Sequence, residues 1–247
     1  MKRERIDKIL VDLGLAESRT KAQALVMAGA VLVDEQRVSK PSENFDPTAN
    51  IRIKPGAQSR YVSRGGLKLE GALNEFQIDV KGLICLDVGA STGGFTDCLL
   101  QHDAQKVVAV DVGHNQIDYK LRTDSRVEVR EGINARYLQA EDFGEKFDLV
   151  TIDVAFISVT IVLPAIIPLL NHAGRIVTLI KPQFEVGKGQ VGKGGIVKDP
   201  GQHQLVIAQV HGTAEELGLE VRGLIESPIQ GADGNVEFLA LYSKAGD

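Results

Sequence analysis

The sequence predicts an α/β protein in two units: a doubly wound, mostly parallel sheet, preceded by a small α+β module. Two observations predict this division. After Arg60, apolar stretches of strand length alternate with helix-like segments, a pattern typical of parallel βαβ units. Before Arg60, two short amphipathic helices and a few short β segments together make a compact module. We therefore expect domains at residues 1–58 and 64–247, joined by a linker at 59–63.

The elements of the first module follow from helix start and stop signals. Apolar residues recur at helical spacing from Ile6 to Leu13, and Gly14 closes this helix. Ser18 is a favourable N-cap for a second helix, which ends at Gly29. We expect short β segments at 31–33, 38 and 51–53, with a loop over 40–44.

The strands of the second unit are predicted from its apolar runs, each of which is followed by a segment suited to a helix or a loop. In a parallel sheet of this kind, ligands bind beyond the carboxyl ends of the strands. Residues at these strand ends are therefore the candidates for chemistry. The predicted strands are Ile84–Val88, Val107–Val110, Val127–Val129, Leu149–Ile152, Arg175–Ile180 and Val236–Tyr242.

The composition argues against several classes of protein. Both cysteines, Cys85 and Cys98, lie inside apolar stretches, so no disulfide framework is expected and a reduced, cytoplasmic setting fits best. The first residues lack the apolar run of a secretory signal. The segment Val150–Leu170 is apolar over roughly the length that a bilayer requires, but an aspartate and two prolines interrupt it. We expect a buried strand and a packed helix there, and no membrane span.

Charge is distributed unevenly along the chain. Residues 1–60 carry 11 Lys and Arg against 8 Asp and Glu, and the remainder carries 17 against 25. The net charges are therefore +3 and −8, which together give the −5 of the whole chain. A basic module joined to an acidic domain hints at nucleic-acid contact through the basic part. Differences of this size are also common on solvated surfaces, so charge alone leaves the partner open.

A glycine-rich turn after the first strand of the sheet, Gly89–Gly94, is the most informative motif. Glycine lets the backbone approach a ligand closely, and the helix start behind it presents free N–H groups. Twenty-two residues after Gly89, the run Lys106–Asp111 predicts a second strand that ends in a carboxylate. This spacing suits an acid that binds the hydroxyls of a ribose. A nucleoside-containing ligand is therefore expected.

The glycine spacing discriminates between nucleoside ligands. The pattern Gly-x-x-x-Gly-Gly departs from the Gly-x-Gly-x-x-Gly of a pyrophosphate-binding dehydrogenase, because Ser91 stands at the second glycine position. S-adenosylmethionine has no phosphates, and its enzymes tolerate more variation in this turn. The sequence favours S-adenosylmethionine, with NAD and a purely structural turn as the alternatives.

A second glycine-rich segment, Gly187–Lys193, matches the phosphate-loop pattern G-x-x-x-x-G-K. Gly194, however, occupies the position of the Ser or Thr that would bind Mg²⁺. The next helix is predicted to start only at Asp199–Pro200. We expect either a flexible loop whose lysines close over a polyanionic substrate or an idle surface loop.

Four charged residues stand in or beside apolar strands or at a helix start: Lys68, Asp153, Lys181 and Glu237. Charged groups in apolar surroundings are costly unless they are paired. Two lysines and two carboxylates neutralise one another if the fold brings them to one cleft. Spacing alone leaves a structural ion-pair cluster and a catalytic site equally open.

The first module resembles a known RNA-binding unit. The segments Arg5–Leu10, Gly14–Arg19, Ala28–Val33 and Lys40–Ser42 are similar to the alpha-L RNA-binding motif, which is shared by a ribosomal small-subunit protein, pseudouridine synthases and tyrosyl-tRNA synthetases. The resemblance implies a basic face that contacts RNA phosphates without reading sequence. The candidate RNA-binding residues are Arg5, Arg19, Lys21, Arg37 and Lys40, together with Arg60, Arg64, Lys188 and Lys193 farther along the chain.

The second unit resembles the heat-shock-type, FtsJ-like ribose 2′-O-methyltransferases. With the alpha-L motif in front of it, the whole chain is similar to the TlyA family of rRNA ribose 2′-O-methyltransferases, also labelled haemolysins. The resemblance implies a Rossmann-like S-adenosylmethionine-dependent methyltransferase domain that acts on ribosomal RNA or ribosomal subunits and not at a membrane. The segments that carry it are Ser63–Lys68, Asp87–Phe95, Thr151–Asp153, Leu179–Pro182 and Asn235–Glu237.

The same resemblance implies roles for individual residues. The four charged residues become a catalytic tetrad, with Lys181 nearest to the ribose hydroxyl as a base or as an electrostatic clamp. No metal is needed, and the five histidines show no ligand spacing. The alternatives are a membrane-lytic haemolysin and a non-catalytic RNA-binding protein that keeps a vestigial fold. The expected S-adenosylmethionine contacts are Asp87, Gly89, Ala90, Ser91, Thr92, Gly93, Gly94, Phe95, Asp111 and Asn134.

Overall fold

A computed structural model describes residues 3–54, 60–187, 191–192, 194–231 and 234–245. The chain divides into two units, Met1–Arg60 and Tyr61–Asp247. Each unit has its own hydrophobic core, because the cluster of buried side chains around Ile6 and Val31 is separate from the two clusters that cover the faces of the large sheet.

The first unit combines two helices with two small sheets. A three-stranded antiparallel sheet has the order β3-β2-β5, and a two-stranded antiparallel sheet pairs β1 with β4. The bounds are β1 (Glu4–Arg5), α1 (Ile6–Asp12), α2 (Arg19–Met27), β2 (Val31–Val33), β3 (Gln36–Arg37), β4 (Asn44–Phe45) and β5 (Ile51–Ile53).

Both predicted helices of this unit are confirmed, and so is the capping that delimits them. The Ser18 hydroxyl accepts the backbone N–H of Lys21 at 3.3 Å, as an N-cap side chain does. Gly14 and Gly29 follow the two helices with φ of +68°, a conformation that glycine adopts without strain. The pair β1 and β4 was not predicted, because two-residue strands are too short to leave a periodic pattern.

The second unit is a seven-stranded sheet with helices on its faces. Its elements, in chain order, are α3 (Gly65–Glu75), β6 (Ile84–Val88), α4 (Gly94–Gln101), β7 (Lys106–Asp111), α5 (Tyr119–Arg122), β8 (Val127–Glu131), 3₁₀ turns at Ala135–Tyr137 and Ala140–Asp142, β9 (Phe147–Ile152), α6 (Val159–Ile166), a 3₁₀ turn at Ile167–Leu169, β10 (Leu170–Ile180), α7 (Pro182–Glu185), α8 (Pro200–Glu216), β11 (Leu219–Glu226) and β12 (Phe238–Lys244).

The strand order β11-β12-β10-β9-β6-β7-β8 confirms the predicted α/β class. Strands β10, β9, β6, β7 and β8 are parallel, whereas β12 runs antiparallel between β10 and β11. The chain leaves β6 toward β7 and later returns to β9 on the other side of β6. This reversal opens a crevice at the carboxyl ends of β6 and β9, where open α/β sheets bind their ligands.

The structure departs from the expected strands at one edge of the sheet. Strand β11 was not predicted, because the register of this edge strand shifts between Val221 and Gly223, which interrupts the alternation of apolar and charged residues. Strand β12 begins at Phe238, so Glu237 stands just before the strand and not inside it as expected. The apolar run 150–170 folds as the end of β9, helix α6 and a 3₁₀ turn. Over the described residues, no helix is long and apolar enough to cross a membrane.

Candidate active site

The turn after β6 is pressed against the end of β9. Gly89 has φ of +84°, and the N–H groups of Gly89 and Ala90 both donate to the Val110 carbonyl, at 2.9 and 3.1 Å. A Cβ at Gly89 would overlap the main-chain carbonyl of Asp153. Glycine is therefore required here by both its backbone angle and the closeness of the neighbouring chain.

The same turn leads into helix α4 through Gly93, whose φ is +96°. Ser91, in the middle of the turn, also has a positive φ of +49°, which is uncommon for a residue with a side chain. Its N–H donates to Oδ2 of Asp111 at 2.8 Å. The tight turn thus places the N-terminus of α4 and the Asp111 carboxylate beside the same crevice.

Asp111, the last residue of β7, is held by backbone groups on both oxygens. Oδ2 accepts the Ser91 N–H, and Oδ1 accepts the N–H of Gly113 at 2.7 Å. An ionised carboxylate accepts about four hydrogen bonds, so this one keeps capacity for further donors. It lines a cavity of about 570 Å³, named here the outer cavity, together with Asn134 from the loop after β8. The Asn134 side chain also caps the following 3₁₀ turn by accepting the Arg136 N–H at 3.1 Å.

A second cavity of about 360 Å³, the inner cavity, adjoins the first. The two cavities share four lining residues, Gly89, Ser91, Asp153 and Ala155, so they form one groove around the crevice between β6 and β9. Of the expected cofactor residues, Ala90, Thr92, Gly94 and Phe95 line the inner cavity.

Asp87 and Gly93 line neither cavity. The Asp87 carboxylate is fully buried, and it accepts the hydroxyls of Thr96 at 2.6 Å and Thr151 at 3.0 Å. Burial raises the pKa of Asp87 to about 6, although the two hydroxyls act in the opposite direction. Asp87 therefore supports the turn from beneath, by joining β6 to α4 and to β9.

The inner cavity contains the first of two lysine–carboxylate pairs. Lys181 Nζ lies 2.6 Å from Asp153 Oδ1, and both side chains are largely buried. Asp153 directly follows β9 and Lys181 directly follows β10. Because these strands are neighbours in parallel register, their carboxyl ends bring the two charges together.

The second pair joins two other elements. Lys68, in α3, donates to Glu237 at 2.5 Å, and the glutamate side chain is 3% exposed. The Gln183 amide also donates to Glu237, at 3.5 Å. A Cβ at Gly231 would lie 2.6 Å from the same carboxylate, so the preceding loop packs tightly against it.

The four charged residues thus form two ion pairs, each made between elements far apart in the chain. Lys68, Asp153 and Lys181 line the inner cavity, whereas Glu237 lies behind Lys68. Pairing lowers the cost of burying these charges. Two ammonium groups and one carboxylate that line the groove, with the second carboxylate paired behind Lys68, can orient a hydroxyl, stabilise negative charge on its oxygen and exchange its proton.

Several groove residues were not predicted from the sequence. Gln116, Ile133 and Arg136 lie in the loops after β7 and β8 and line the outer cavity; the rule that strand ends carry ligands could have found them. Phe156 is the more unusual case, because its ring is 91% exposed and its φ is +63°. The Phe156 and Phe184 ring centroids are 5.0 Å apart. No pattern in the sequence indicates that this phenylalanine faces outward.

The RNA-binding candidates lie mostly on the surface. Arg5, Arg19, Arg37, Lys40 and Arg60 are exposed in the first unit, and Lys21 is half-buried beside Glu17 at 2.7 Å. Arg64, in the second unit, lines the inner cavity and donates to the Gln230 carbonyl at 3.1 Å. Lys188 and Lys193 lie outside the described residues. Farther along the chain, helix α8 begins directly after Asp199, the N-cap that the sequence predicted.

Side chains that could ligate a metal are dispersed. Over the part of the chain that the structure describes, no group of three or more His, Cys, Asp or Glu side chains is arranged to hold an ion. Three of the described histidines make hydrogen bonds within the fold, among them His102, whose Nδ1 lies 2.8 Å from the Cys98 carbonyl. His203 Nε2 lies 2.9 Å from the Val197 carbonyl, and His211 Nδ1 lies 2.8 Å from the Tyr242 hydroxyl.

Comparison with known proteins places both units in described families. Residues 61–244 match the model of the FtsJ-like methyltransferases, and residues 4–51 match the S4 domain. Solved structures at low identity share the fold, for example an S-adenosylmethionine-dependent methyltransferase candidate from Listeria monocytogenes with a TM-score of 0.55 and 16% identity over 74% of this chain and 99% of that chain.

Relatives of similar length match along nearly the whole chain. The Bacillus subtilis protein YqxC, named as a candidate rRNA methyltransferase, is 49% identical and aligns over 96% of this chain and 85% of its own. TlyA of Mycobacterium tuberculosis, named a 16S/23S rRNA (cytidine-2′-O)-methyltransferase, is 46% identical over 96% of this chain and 88% of its own.

A solved structure from Streptococcus thermophilus, described as a candidate hemolysin, has a TM-score of 0.78 and 46% identity, and the match covers 100% of this chain and 90% of that one. Family models and relatives agree along the chain. The chain therefore belongs to the FtsJ-like methyltransferase family, in the group of S4-domain members that includes YqxC and TlyA.

Proposed function

We propose that the protein transfers a methyl group from S-adenosylmethionine to a ribose 2′-hydroxyl of ribosomal RNA, in the cytoplasm. The observation that carries this proposal is the pair of lysine–carboxylate contacts whose two lysines line the inner cavity. The inner cavity opens directly into the outer cavity, where Asp111 is suited to a nucleoside. A methyl donor and a hydroxyl acceptor can therefore meet in one groove.

The residues of the outer cavity fit S-adenosylmethionine. The Asp111 carboxylate is oriented by two backbone N–H groups and keeps capacity for the two hydroxyls of a ribose. Gly89 lets the turn that lines the groove pack directly against the Asp153 main chain, where a Cβ would overlap the Asp153 carbonyl. Asn134 lines the same cavity and is the candidate to contact an adenine edge. When bound, S-adenosylmethionine supplies a methyl group that is activated by a positively charged sulfur.

The two ion pairs supply what the acceptor hydroxyl needs. A ribose hydroxyl is a poor nucleophile and must lose its proton as the new carbon–oxygen bond forms. We assign the contact with this oxygen to Lys181, which lines the inner cavity and would either accept the proton or stabilise the developing negative charge. Asp153 pairs with the Lys181 ammonium, and Glu237 pairs with Lys68, which lines the same cavity. The groups that act on the hydroxyl in this proposal are all side chains of the protein.

Ribosomal RNA is the substrate class that the first unit supports. This unit matches the S4 domain, and the candidate RNA-binding arginines on it are exposed. The relative TlyA is named for methylation of cytidine in 16S and 23S rRNA. We therefore expect 2′-O-methylcytidine as the product for this chain.

The test is transfer of tritiated methyl groups to ribosomal subunits that lack the modification. Subunits are taken from cells in which this gene is deleted, and the labelled nucleoside is identified by mass spectrometry. Label on 2′-O-methylcytidine supports the proposal. Label on a base would agree with methyltransferase activity but would refute the ribose assignment. Absence of label from both subunits would refute rRNA as the substrate.

The alternative of a membrane-lytic protein is separated by a lysis assay on erythrocytes. The purified protein and its Lys181→Ala variant are compared at equal concentration. Lysis by both proteins, together with no methyl transfer by either, would favour the lytic function. We expect methyl transfer by the natural protein alone and lysis by neither.

A further inference from the structure

A buried carboxylate in the first unit holds two of the exposed arginines. Asp7, in the first turn of α1, is 0% exposed. Arg5 donates to it through Nε at 3.0 Å and Nη2 at 2.8 Å, and Arg19 donates through Nη2 at 3.1 Å. Gln23 adds a fourth hydrogen bond at 2.9 Å. One carboxylate thus binds side chains from the starts of both helices.

The arginines themselves remain open to a ligand. Their side chains are 45% and 58% exposed, although the carboxylate between them is covered. Each guanidinium has five N–H donors in a rigid plane, and among the described residues Asp7 is the acceptor that binds both. Two positive charges face one negative charge, so the cluster keeps a net charge of one positive unit.

The hydrogen bonds keep Asp7 ionised. The Arg5 hydrogen bond, followed by those of Gln23 and Arg19, holds the pKa of Asp7 well below its usual range against the opposing effect of burial. The Asp7 carboxylate is therefore ionised at neutral pH. It can therefore anchor the two guanidiniums without depending on pH in the neutral range.

We propose that Asp7 is a positioning residue for RNA: it fixes Arg5 and Arg19 so that their remaining N–H groups meet phosphate oxygens in a preset arrangement. The inference rests on the proposed function, because that function makes RNA the partner. A free arginine side chain loses rotamer freedom when it binds, whereas an anchored one has already lost it on folding. Planar guanidiniums also bind phosphate oxygens in pairs, so their orientation matters.

The sign of one substitution separates positioning from plain electrostatics. Asp7 is an anion beside the surface that would meet RNA. If only net charge mattered, Asp7→Asn would strengthen RNA binding, because it removes a repulsive charge. If Asp7 positions the arginines, the same substitution weakens binding.

The matched control is Asp12→Asn. Asp12 lies on the same helix, its side chain is 56% exposed, and its ion pair is with Lys8 at 3.8 Å. This substitution removes the same charge without touching Arg5 or Arg19. We expect its RNA affinity to be equal to that of the natural protein or slightly higher.

The experiment measures the dissociation constant of the full chain for ribosomal subunits from gene-deleted cells by filter binding, with methyl transfer followed in parallel. For Asp7→Asn we expect about tenfold weaker binding, a matching rise in KM for subunits and an unchanged kcat. Binding that is unchanged or tighter than that of the natural protein overturns the inference. If the natural protein binds subunits but does not methylate them, the proposed function fails while the Asp7 test still stands.

A second variant keeps the inference testable if Asp7→Asn folds poorly. Arg19→Lys keeps the positive charge on an exposed side chain but removes the planar group that Asp7 holds. We expect it to weaken binding several-fold, and an affinity equal to that of the natural protein would contradict positioning. Where Asp7→Asn does fold, adding it to Arg19→Lys should cause little further loss of affinity, whereas independent effects would multiply.

Discussion

The Lys181 ammonium lies 2.6 Å from Oδ1 of Asp153, and each residue directly follows one of two neighbouring parallel strands. The contact is a product of sheet register, since Thr178 of β10 pairs with Ile152 of β9. It places a fixed positive charge at the inner cavity, beside the residues that both cavities share. Any chemistry on a hydroxyl in this cavity takes place next to that charge.

Replacing Lys181 by alanine should abolish methyl transfer while leaving cofactor binding nearly intact. A positioned acid–base group contributes about 10²–10⁴-fold to a rate, and we expect a loss in the upper part of this range. The rate of methyl transfer is measured with tritiated S-adenosylmethionine, and the affinity of the protein for S-adenosylmethionine is measured by calorimetry. Lys146→Ala, which changes an exposed lysine that lines neither cavity, is the control. Full turnover by Lys181→Ala would contradict the role of the tetrad.

Replacing Asp111 by asparagine should weaken binding of S-adenosylmethionine. The carboxylate is aimed into the outer cavity by the N–H groups of Ser91 and Gly113, and a hydrogen bond to a charged group contributes about 1.5–3 kcal/mol. We therefore expect roughly ten- to hundredfold weaker binding in calorimetry. Asp79→Asn, an exposed change outside both cavities, should leave the affinity as it is. NADH titrated in the same way should not bind, and tight NADH binding would favour a dehydrogenase.

Removing the Phe156 ring should slow methylation of RNA. The ring is exposed at the rim of the outer cavity and packs against Phe184, so it offers a face on which a nucleobase can stack. Stacking of a base on an aromatic side chain contributes about 1–3 kcal/mol. Phe156→Ala should therefore lower kcat/KM for subunits by roughly ten- to hundredfold. Phe156→Tyr keeps an aromatic ring and should retain the kcat/KM of the natural protein.

The control for this prediction is Tyr119→Ala, since Tyr119 is also exposed, at 78%, but lines neither cavity. Both alanine variants should melt at the temperature of the natural protein. An equal loss of activity in the two variants would mean that exposed aromatic area in general, and not the position of Phe156, is responsible.

Burial of Asp87 should make stability depend on pH in a defined direction. Its pKa is raised to about 6 in the folded protein, whereas an unfolded aspartate has a pKa of about 3.9. Between these values the folded state holds the proton more tightly, so Asp87 lowers the free energy of unfolding as the pH rises through this range. A tenfold difference in acidity corresponds to about 1.4 kcal/mol of free energy, which gives a total on the order of 3 kcal/mol.

Asp87→Asn removes this titration. The stability of the variant relative to the natural protein should therefore improve by up to about 3 kcal/mol between roughly pH 4 and pH 7, measured by urea unfolding at several pH values. The change with pH is the test, because the loss or gain of hydrogen bonds to Thr96 and Thr151 adds a constant offset. A difference that stays constant across this range would show that Asp87 does not titrate as proposed.

The sequence by itself determined the elements and the kinds of residue at the candidate site. The Ser18 cap, the glycines after both short helices and the apolar runs of the sheet all act locally, so they can be read from neighbouring residues. The glycine turn at 89–94 and the acid at Asp111 were likewise recognisable from their spacing. The edge strand β11 was not predicted, because a register shift interrupts its alternation of apolar and charged residues.

Only the tertiary structure decided which charges meet. Lys181 pairs with Asp153, and Lys68 pairs with Glu237 across 169 positions of the chain. The tertiary structure also buries Asp87 beneath the glycine turn and leaves Phe156 exposed. These outcomes depend on strand order and register, which arise from contacts between distant segments and leave no local periodicity in the sequence. The sequence therefore supplied these two lysines and two carboxylates, and the packing of the sheet and of helix α3 joined them into two pairs beside one cavity.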